Sequence, residues 1–283
     1  MGQGKVRDLY QVDGERLLIV ASDRISAFDV VFRETIPEKG CMLTALSRFW
    51  FSRMKPLIQN HELTDDWSSL VDPLALPALR GRSMLVRRLQ PLPLEAVVRG
   101  YLAGSAWQTY RRGENLPGIR LPAGLREADP LPEALYTPTS KSPAGEHDHP
   151  ISFDETVSRI GNETLATAVR DRSLAIFREA SRYAETRGLI IADAKFEFGL
   201  DATGNLFLID ELLTPDSTRY WPRDQYQPGS SPPSFDKQFL REWLETHGWN
   251  KKPPPPSLPT HVLAATRERY VEACSRLMGG VGF

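Results

Sequence analysis

The stretch from Ile190 to Asp210, IIADAKFEFGLDATGNLFLID, constrains this chain more than any other. Successive side chains of a strand point to opposite faces, so Asp193, Lys195 and Glu197 share one face while Ala194, Phe196 and Phe198 share the other. Thr203 and Gly204 supply a turn, and an apolar run follows, which predicts a β-hairpin that buries one face and arms the other. With the turn there, Glu197 falls opposite or nearly opposite Asp210, and Cβ atoms of such pairs lie roughly 5 Å apart. Two carboxylates that close repel unless a cation lies between them. A hard divalent ion such as Mg²⁺ suits them, since one or two carboxylates hold it while water and phosphate oxygens complete its shell. Charged strand faces are also common where antiparallel sheets meet water, so the hairpin alone leaves both readings open.

The 283 residues, 41% hydrophobic, are enough for one large domain or two closely packed ones. Lys and Arg number 35 against 36 Asp and Glu, which gives no electrostatic case for nucleic acid or an anionic membrane. Leu17 to Ala21 is far short of the roughly 20 apolar residues that span a bilayer, and the first residues lack a signal-peptide apolar region, so a cytoplasmic protein is expected. Cys41 and Cys274 stand far apart without a CxxC pair and read as packing residues.

KVRDLYQV and RLLIVAS, joined at Asp13-Gly14, predict an opening hairpin, and Thr44 is placed to cap a helix through ALSRFWFSRMK. A strand, a proline-bearing connector, a second strand and a short helix from about Ser105 follow. The composition puts a domain boundary at Gln90 to Pro93, giving domains 1–90 and 91–283. Asn115 to Ile151, rich in Pro, Gly and polar residues, reads as a long loop. Asn162 to Arg187 has helical periodicity and ends at Gly188, and a last helix runs from about Thr260 to Met278 after a polyproline spacer.

Three further clusters carry chemistry. In GQGKVRDLY, Gly2 and Gly4 leave backbone N–H groups room to approach an anion, while Lys5 and Arg7 alternate onto one strand face. The stretch is neither a GxxxxGK[ST] loop nor a GxGxxG turn opening a helix. In AVVRGYLAGS, Arg99 and Ser105 form an anion cradle at a helix start, and TPDSTRYW places Asp216 and Arg219 in one loop after Asp210. Each of these also reads as an ordinary surface or capping residue. His147 and His149, two residues apart in GEHDHP with no distant third His, do not argue for zinc.

Taken in order, GKVRDLY, ASDRISAFDVV, LTALSRFWF, LEAVVRGYLAGSAW, TPTSKSPAGEHDHPIS, IADAKFEFGLD, LIDELLTPDSTRYW and SFDKQFLREWL resemble the SAICAR synthetase family over nearly the whole chain. The resemblance implies an α+β fold, with a small antiparallel N-terminal domain, a larger α+β domain ending in a C-terminal helix, and ATP in the cleft between them. It implies an ATP-dependent ligase joining the carboxylate of CAIR to the amine of L-aspartate, giving SAICAR, ADP and phosphate, in de novo purine biosynthesis. Its partners would be those small molecules, with Mg²⁺ as cofactor and a monomer or homodimer as the assembly. Carried over by residue, Gly4, Lys5, Arg7, Arg87, Gln90, Leu92 and Glu95 would serve ATP, and Glu197 and Asp210 the Mg²⁺. Arg99, Ser105, Lys141, His147, Asp148, Asp216, Arg219, Lys237 and Arg241 would bind the other substrates, while Lys195 and Asp193 would be catalytic, Asp193 as a candidate proton acceptor. Departures from the family pattern are Gln3 where Arg is frequent, Glu38 where Gly is usual, and His149. A small-molecule kinase on the same ATP site and a silent nucleotide-binding protein are the alternative readings. Aspartate-dependent phosphate release separates the first from a ligase, and joint retention of Lys5, Arg99, Glu197, Asp210 and Arg219 argues against the second.

Overall fold

The computed structural model describes residues 2–141 and 148–280 and has the expected α+β architecture. The opening hairpin forms as expected: β1 (Gly2–Gln3), β2 (Arg7–Gln11) and β3 (Arg16–Ala21) pair antiparallel. Asp13 closes the turn by accepting the N–H groups of Glu15 and Arg16 at 2.9 and 2.8 Å. A second hairpin, β4 (Arg24–Ala27) with β5 (Val30–Thr35), leads into helix α1 (Lys39–Met54).

Thr44 is buried within α1 and does not cap it. The helix starts earlier because its orphan donors find a partner from afar: Asp23 accepts the Gly40 N–H at 2.9 Å. Glu38, just before the helix, has φ 65°, a left-handed conformation that glycine adopts without strain. A Cβ on Gly40 would stand 2.2 Å from the Ala21 carbonyl oxygen, so α1 meets β3 backbone to backbone. Gly40→Ala is therefore expected to cost about 1–3 kcal/mol and to lower the thermal midpoint; an unchanged midpoint would contradict this contact.

After the short helix α2 (Leu76–Leu79), β6 (Ser83–Arg87) completes a four-stranded sheet in the order β1-β2-β3-β6. β7 (Gln90–Pro91) crosses to a second sheet, followed by β8 (Leu94–Tyr101) and α3 (Gly104–Arg111). The region expected to be a long loop contains β9 (Pro130–Tyr136) and β10 (Thr139–Ser140), both paired with β8. Pro130 and Pro132 hide β9 from a sequence reading. It pairs with β8 alone, and at such an edge a missing N–H breaks no ladder.

Helices α4 (Phe153–Ile160) and α5 (Glu163–Thr186) follow, the latter capped by Asn162, which accepts the Leu165 N–H at 3.0 Å. β11 (Leu189–Leu200) is the central strand, with β8 and β7 on one side and β12 (Leu206–Ile209) and β13 (Thr218–Pro222) on the other. The segment expected to loop around Arg219 is thus a strand. Helices α6 (Gln238–Thr246) and α7 (Thr260–Met278) follow, α7 with the bounds expected between the polyproline spacer and Gly279.

Ala194, Phe196 and Phe198 are buried, as the alternation requires, in a core that also takes Trp50 and Phe51 of α1, Ile176 of α5 and Tyr270 of α7. Among the described residues no helix is long and apolar enough to cross a membrane. With its apolar face fixed in this core, β11 turns its charged face toward the opposite side of the sheet.

Candidate active site

Strand register builds the first part of the site. Asp193 stands opposite Arg99 of β8 on one side and opposite Arg219 of β13 on the other. Arg219 Nη1 donates to Asp193 Oδ2, and Arg99 Nη1 lies 3.6 Å from the same oxygen. Arg99 also donates to Thr137 Oγ1 at 2.9 Å and to Ser105 Oγ at 3.1 Å. Asp236, buried just before α6, lies 3.8 Å from Arg219 Nε and 3.6 Å from Arg241 Nη1. Gly104 has φ 56°, and a Cβ there would stand 2.8 Å from Arg219 Nη2, so the guanidinium lies against bare backbone.

Burial pulls the Arg99 guanidinium below the ordinary arginine range. Burial acts the same way on Arg219, but Asp193 and Asp236 outweigh it and raise that group. Two guanidiniums sharing one carboxylate keep further N–H donors for an anionic ligand. With Ser105, Lys195, Asp216 and Arg241 they line a cavity of about 500 Å³. The Oδ2 of Asp193 is shared by the two arginines, so this carboxylate is placed to orient both guanidiniums.

The second part lies two and four residues along β11. Lys195 Nζ sits 2.8 Å from Glu95 Oε1 and 2.9 Å from Glu197 Oε1, and Lys141 Nζ is 2.5 Å from Glu197 Oε2. Burial opposes charge on Lys195, but Glu197 and Glu95 overcome it and hold the ammonium above its usual range. Burial likewise opposes Glu197, and Lys195 and Lys141 overcome it, holding the carboxyl well below the usual range.

Glu197 pairs across the ladder with Ile209, so Asp210 follows nearly opposite, as the hairpin predicts, at φ 67°. Arg7 Nη2 reaches Asp210 Oδ2 at 3.0 Å and Glu211 Oε1 at 3.1 Å. Burial pushes Asp210 up to about 6; Arg7 opposes the shift, and the neighbouring Glu197 and Glu211 add to it. With Glu95 and Glu211 the carboxylates here outnumber Lys195, Lys141 and Arg7, and a divalent ion would neutralise that excess, so Glu197 and Asp210 fit Mg²⁺. Among the described residues no group of three or more His, Cys, Asp or Glu side chains could hold a metal by itself, leaving the rest of such a shell to water and phosphate.

The third part was only half visible in the sequence. Asp216 accepts from Lys39 Nζ at 2.7 Å and from Tyr270 Oη at 2.5 Å, and forms an ion pair with Lys237 Nζ at 3.2 Å. Lys237, Arg241 and Lys5 line a neighbouring cavity of about 290 Å³ with Asp29, which pairs with Lys5. Lys5 and Arg7 do not share a face as expected, because the strand begins only at Arg7 and Lys5 lies in a bend before it. The Gly4 N–H is also not turned toward an anion. It donates to the Arg7 carbonyl at 2.8 Å, and a Cβ on Gly4 would meet that same oxygen at 2.8 Å, so this glycine serves the turn.

Arg87 is exposed at the end of β6, and Gln90 pairs with Leu200 in the connector strand. Leu92 is buried and gives its N–H to the Phe198 carbonyl at 2.8 Å. Asp148 is exposed, and His147 lies outside the described residues. Lys39, Tyr270, Asp236 and Glu211 were missed as site residues. For Asp236 a signal existed in SFDKQFL, next to Lys237, whereas a lysine at a helix start and a tyrosine in a distant helix offered none.

The SAICAR synthetase family model matches residues 1–256. The chain is 52% identical over 276 residues to a phosphoribosylaminoimidazole-succinocarboxamide synthase of Chromobacterium violaceum, covering 98% of this chain and 97% of that one. A relative of the same name from Halorhodospira halophila is 54% identical over 270 residues, covering 95% and 91%. Its structure is similar to SAICAR synthase from Saccharomyces cerevisiae complexed with SAICAR, with a TM-score of 0.89 and 38% identity over 99% of this chain and 94% of that one.

Proposed function

This chain belongs to the SAICAR synthetase family, and from that premise we propose which of its side chains carry the reaction. The enzyme is an ATP-dependent ligase that joins the carboxylate of CAIR to the amine of L-aspartate, giving SAICAR, ADP and phosphate, in purine biosynthesis. The observation that carries the assignment is the row Asp193, Lys195, Glu197, in which each charge on one strand face is matched by opposite charge from β8, β13 or Lys141.

In our reading Arg99, Ser105 and Arg219 bind the ribonucleotide in the larger cavity, with Asp193 aiming both guanidiniums. Lys195, between Glu95 and Glu197, faces the reacting carboxylate, and Lys141 approaches from the opposite side of Glu197. A carboxylate oxygen of CAIR attacks the γ-phosphorus of ATP, the bond to the β,γ-bridging oxygen breaks, and ADP leaves an acyl phosphate. The aspartate amine then adds to the acyl carbon, phosphate departs with its bonding pair, and the amine's proton passes to that phosphate. The protein's part is to hold reactants in line and to neutralise the moving charge, which Lys195 and the arginines are placed to do. Glu197 and Asp210 would hold Mg²⁺, whose positive charge would offset that of the ATP phosphates. Lys5, Lys237 and Arg241 offer positive charge to an anionic group in the smaller cavity. Residues 1–90 and 91–283 would form the two lobes around ATP, and phosphorylated substrates favour the cytoplasm as the place of reaction.

The metal assignment predicts a pH dependence. Asp210, raised to about 6 from 3.8, is stabilising when protonated; that contribution is complete below about 4 and is lost as pH rises through 6. Mg²⁺ needs the carboxylate, so binding below pH 6 must displace a proton, and affinity should fall by up to about tenfold per pH unit there. His61, pushed down to about 3 by burial, stays neutral throughout this window. Calorimetric titration of Mg²⁺ in two buffers at pH 5.5 should report up to about one proton released, and less in Asp210→Asn. Equal proton release in both proteins would remove Asp210 from the metal site.

A further inference from the structure

Two fully buried side chains reach Asp216 from helices outside the cavity. Asp216 borders the 500 Å³ cavity, yet its own side chain is only 3% exposed because both oxygens are held. Oδ1 accepts the hydroxyl of Tyr270 on α7 at 2.5 Å, and Oδ2 accepts Lys39 of α1 at 2.7 Å. Lys39 and Tyr270 are each 0% exposed and do not line the cavity. Burial first, then Asp216, holds the Tyr270 phenol well above its usual range, so it stays a donor. Helix α7 begins at Thr260, past the residues that the family model matches. The Tyr270 ring belongs to the same apolar core as Met42, Cys274 and Leu277, where a phenylalanine ring would bury the same apolar surface. A hydroxyl aimed at a carboxylate on the cavity wall is more than packing needs.

We infer that Tyr270, together with Lys39, is a positioning residue for Asp216. The two fix the carboxylate so that its remaining acceptor capacity faces the ribonucleotide, and the C-terminal helix thereby takes part in substrate recognition. Lys237, the third group on Asp216, is pushed down to about 8, chiefly by burial; Asp216 opposes the shift, and Lys39 and Arg241 add to it. The inference rests on the reading of the larger cavity as the CAIR site.

Its test uses Tyr270→Phe, Asp216→Asn and the double variant, with ADP release measured against CAIR and against ATP. A lost hydrogen bond to a charged group should raise KM for CAIR about tenfold or more in Tyr270→Phe while KM for ATP changes less than about twofold. If Tyr270 acts through Asp216, adding Tyr270→Phe to Asp216→Asn should change KM for CAIR no further. An unchanged KM for CAIR in Asp216→Asn would overturn the reading of the cavity and the inference with it. A raised KM in Asp216→Asn with none in Tyr270→Phe, or effects that multiply in the double variant, would overturn the inference alone. So would a Tyr270→Phe protein that melts earlier and loses all its kinetic constants equally, since that pattern marks a packing role.

Discussion

Glu197→Gln should lower turnover by on the order of 10²–10³-fold while leaving the fold intact, the range that removal of one preorganised charge in a catalytic site produces. The substitution keeps the side chain's shape, and its strand neighbours Phe196 and Phe198 stay buried in the core. What disappears is the anion that Lys195 and Lys141 approach at 2.9 and 2.5 Å. Without it two ammoniums repel each other, Lys195 leans to Glu95 alone, and in our reading Mg²⁺ keeps only Asp210. The loss should fall on kcat, because the charges concerned act on the moving phosphoryl group, and far-UV circular dichroism should match that of the parent protein. A drop confined to KM for CAIR would place Glu197 elsewhere.

Arg219→Met should act on the other substrate. The guanidinium spans two carboxylates, Asp193 and Asp236, and borders the larger cavity beside Ser105 and Arg99. Methionine fills part of the same volume without charge, so kcat/KM for CAIR should fall on the order of 10²-fold, as expected for losing one of two charge-assisted contacts to an anionic group. ATP binding, measured by nucleotide titration, should change little. Asp193 retains Arg99 as a partner at 3.6 Å and Asp236 retains Arg241 at 3.6 Å, so no buried carboxylate is left alone and the protein should remain folded. An equal loss of ATP and CAIR affinity would contradict the division of the site proposed for these residues.

Much of this site was legible because a strand's period of two is a local property. Asp193, Lys195 and Glu197 could be put on one face from spacing alone, and the turn at Thr203-Gly204 then brought Asp210 near Glu197. Helices α5 and α7 were legible from equally local signals, a 3.6-residue apolar stripe after Asn162 for α5 and the Gly279-Gly280 stop for α7. What stayed hidden is contact between distant segments. Nothing local says that β8 and β13 flank β11 in the register that puts Arg99 and Arg219 on either side of Asp193. Asp23 capping α1 from the bend between β3 and β4, and Tyr270 reaching Asp216 across 54 residues, are invisible for the same reason. Strand alternation does not reach Lys5 because the chain bends before Arg7, and the two prolines of β9 give a loop signal in the sequence that pairing at a sheet edge overrides.

The central claim is that the charged face of β11 is the floor of an ATP-dependent ligation site. ADP release with ATP and CAIR, with and without L-aspartate, measured for the parent protein and for Glu197→Gln, tests it most directly. The account predicts sustained release from the parent protein only when aspartate is present, and release from Glu197→Gln reduced at least a hundredfold under the same saturating conditions. Undiminished, aspartate-dependent release from a correctly folded Glu197→Gln would contradict it.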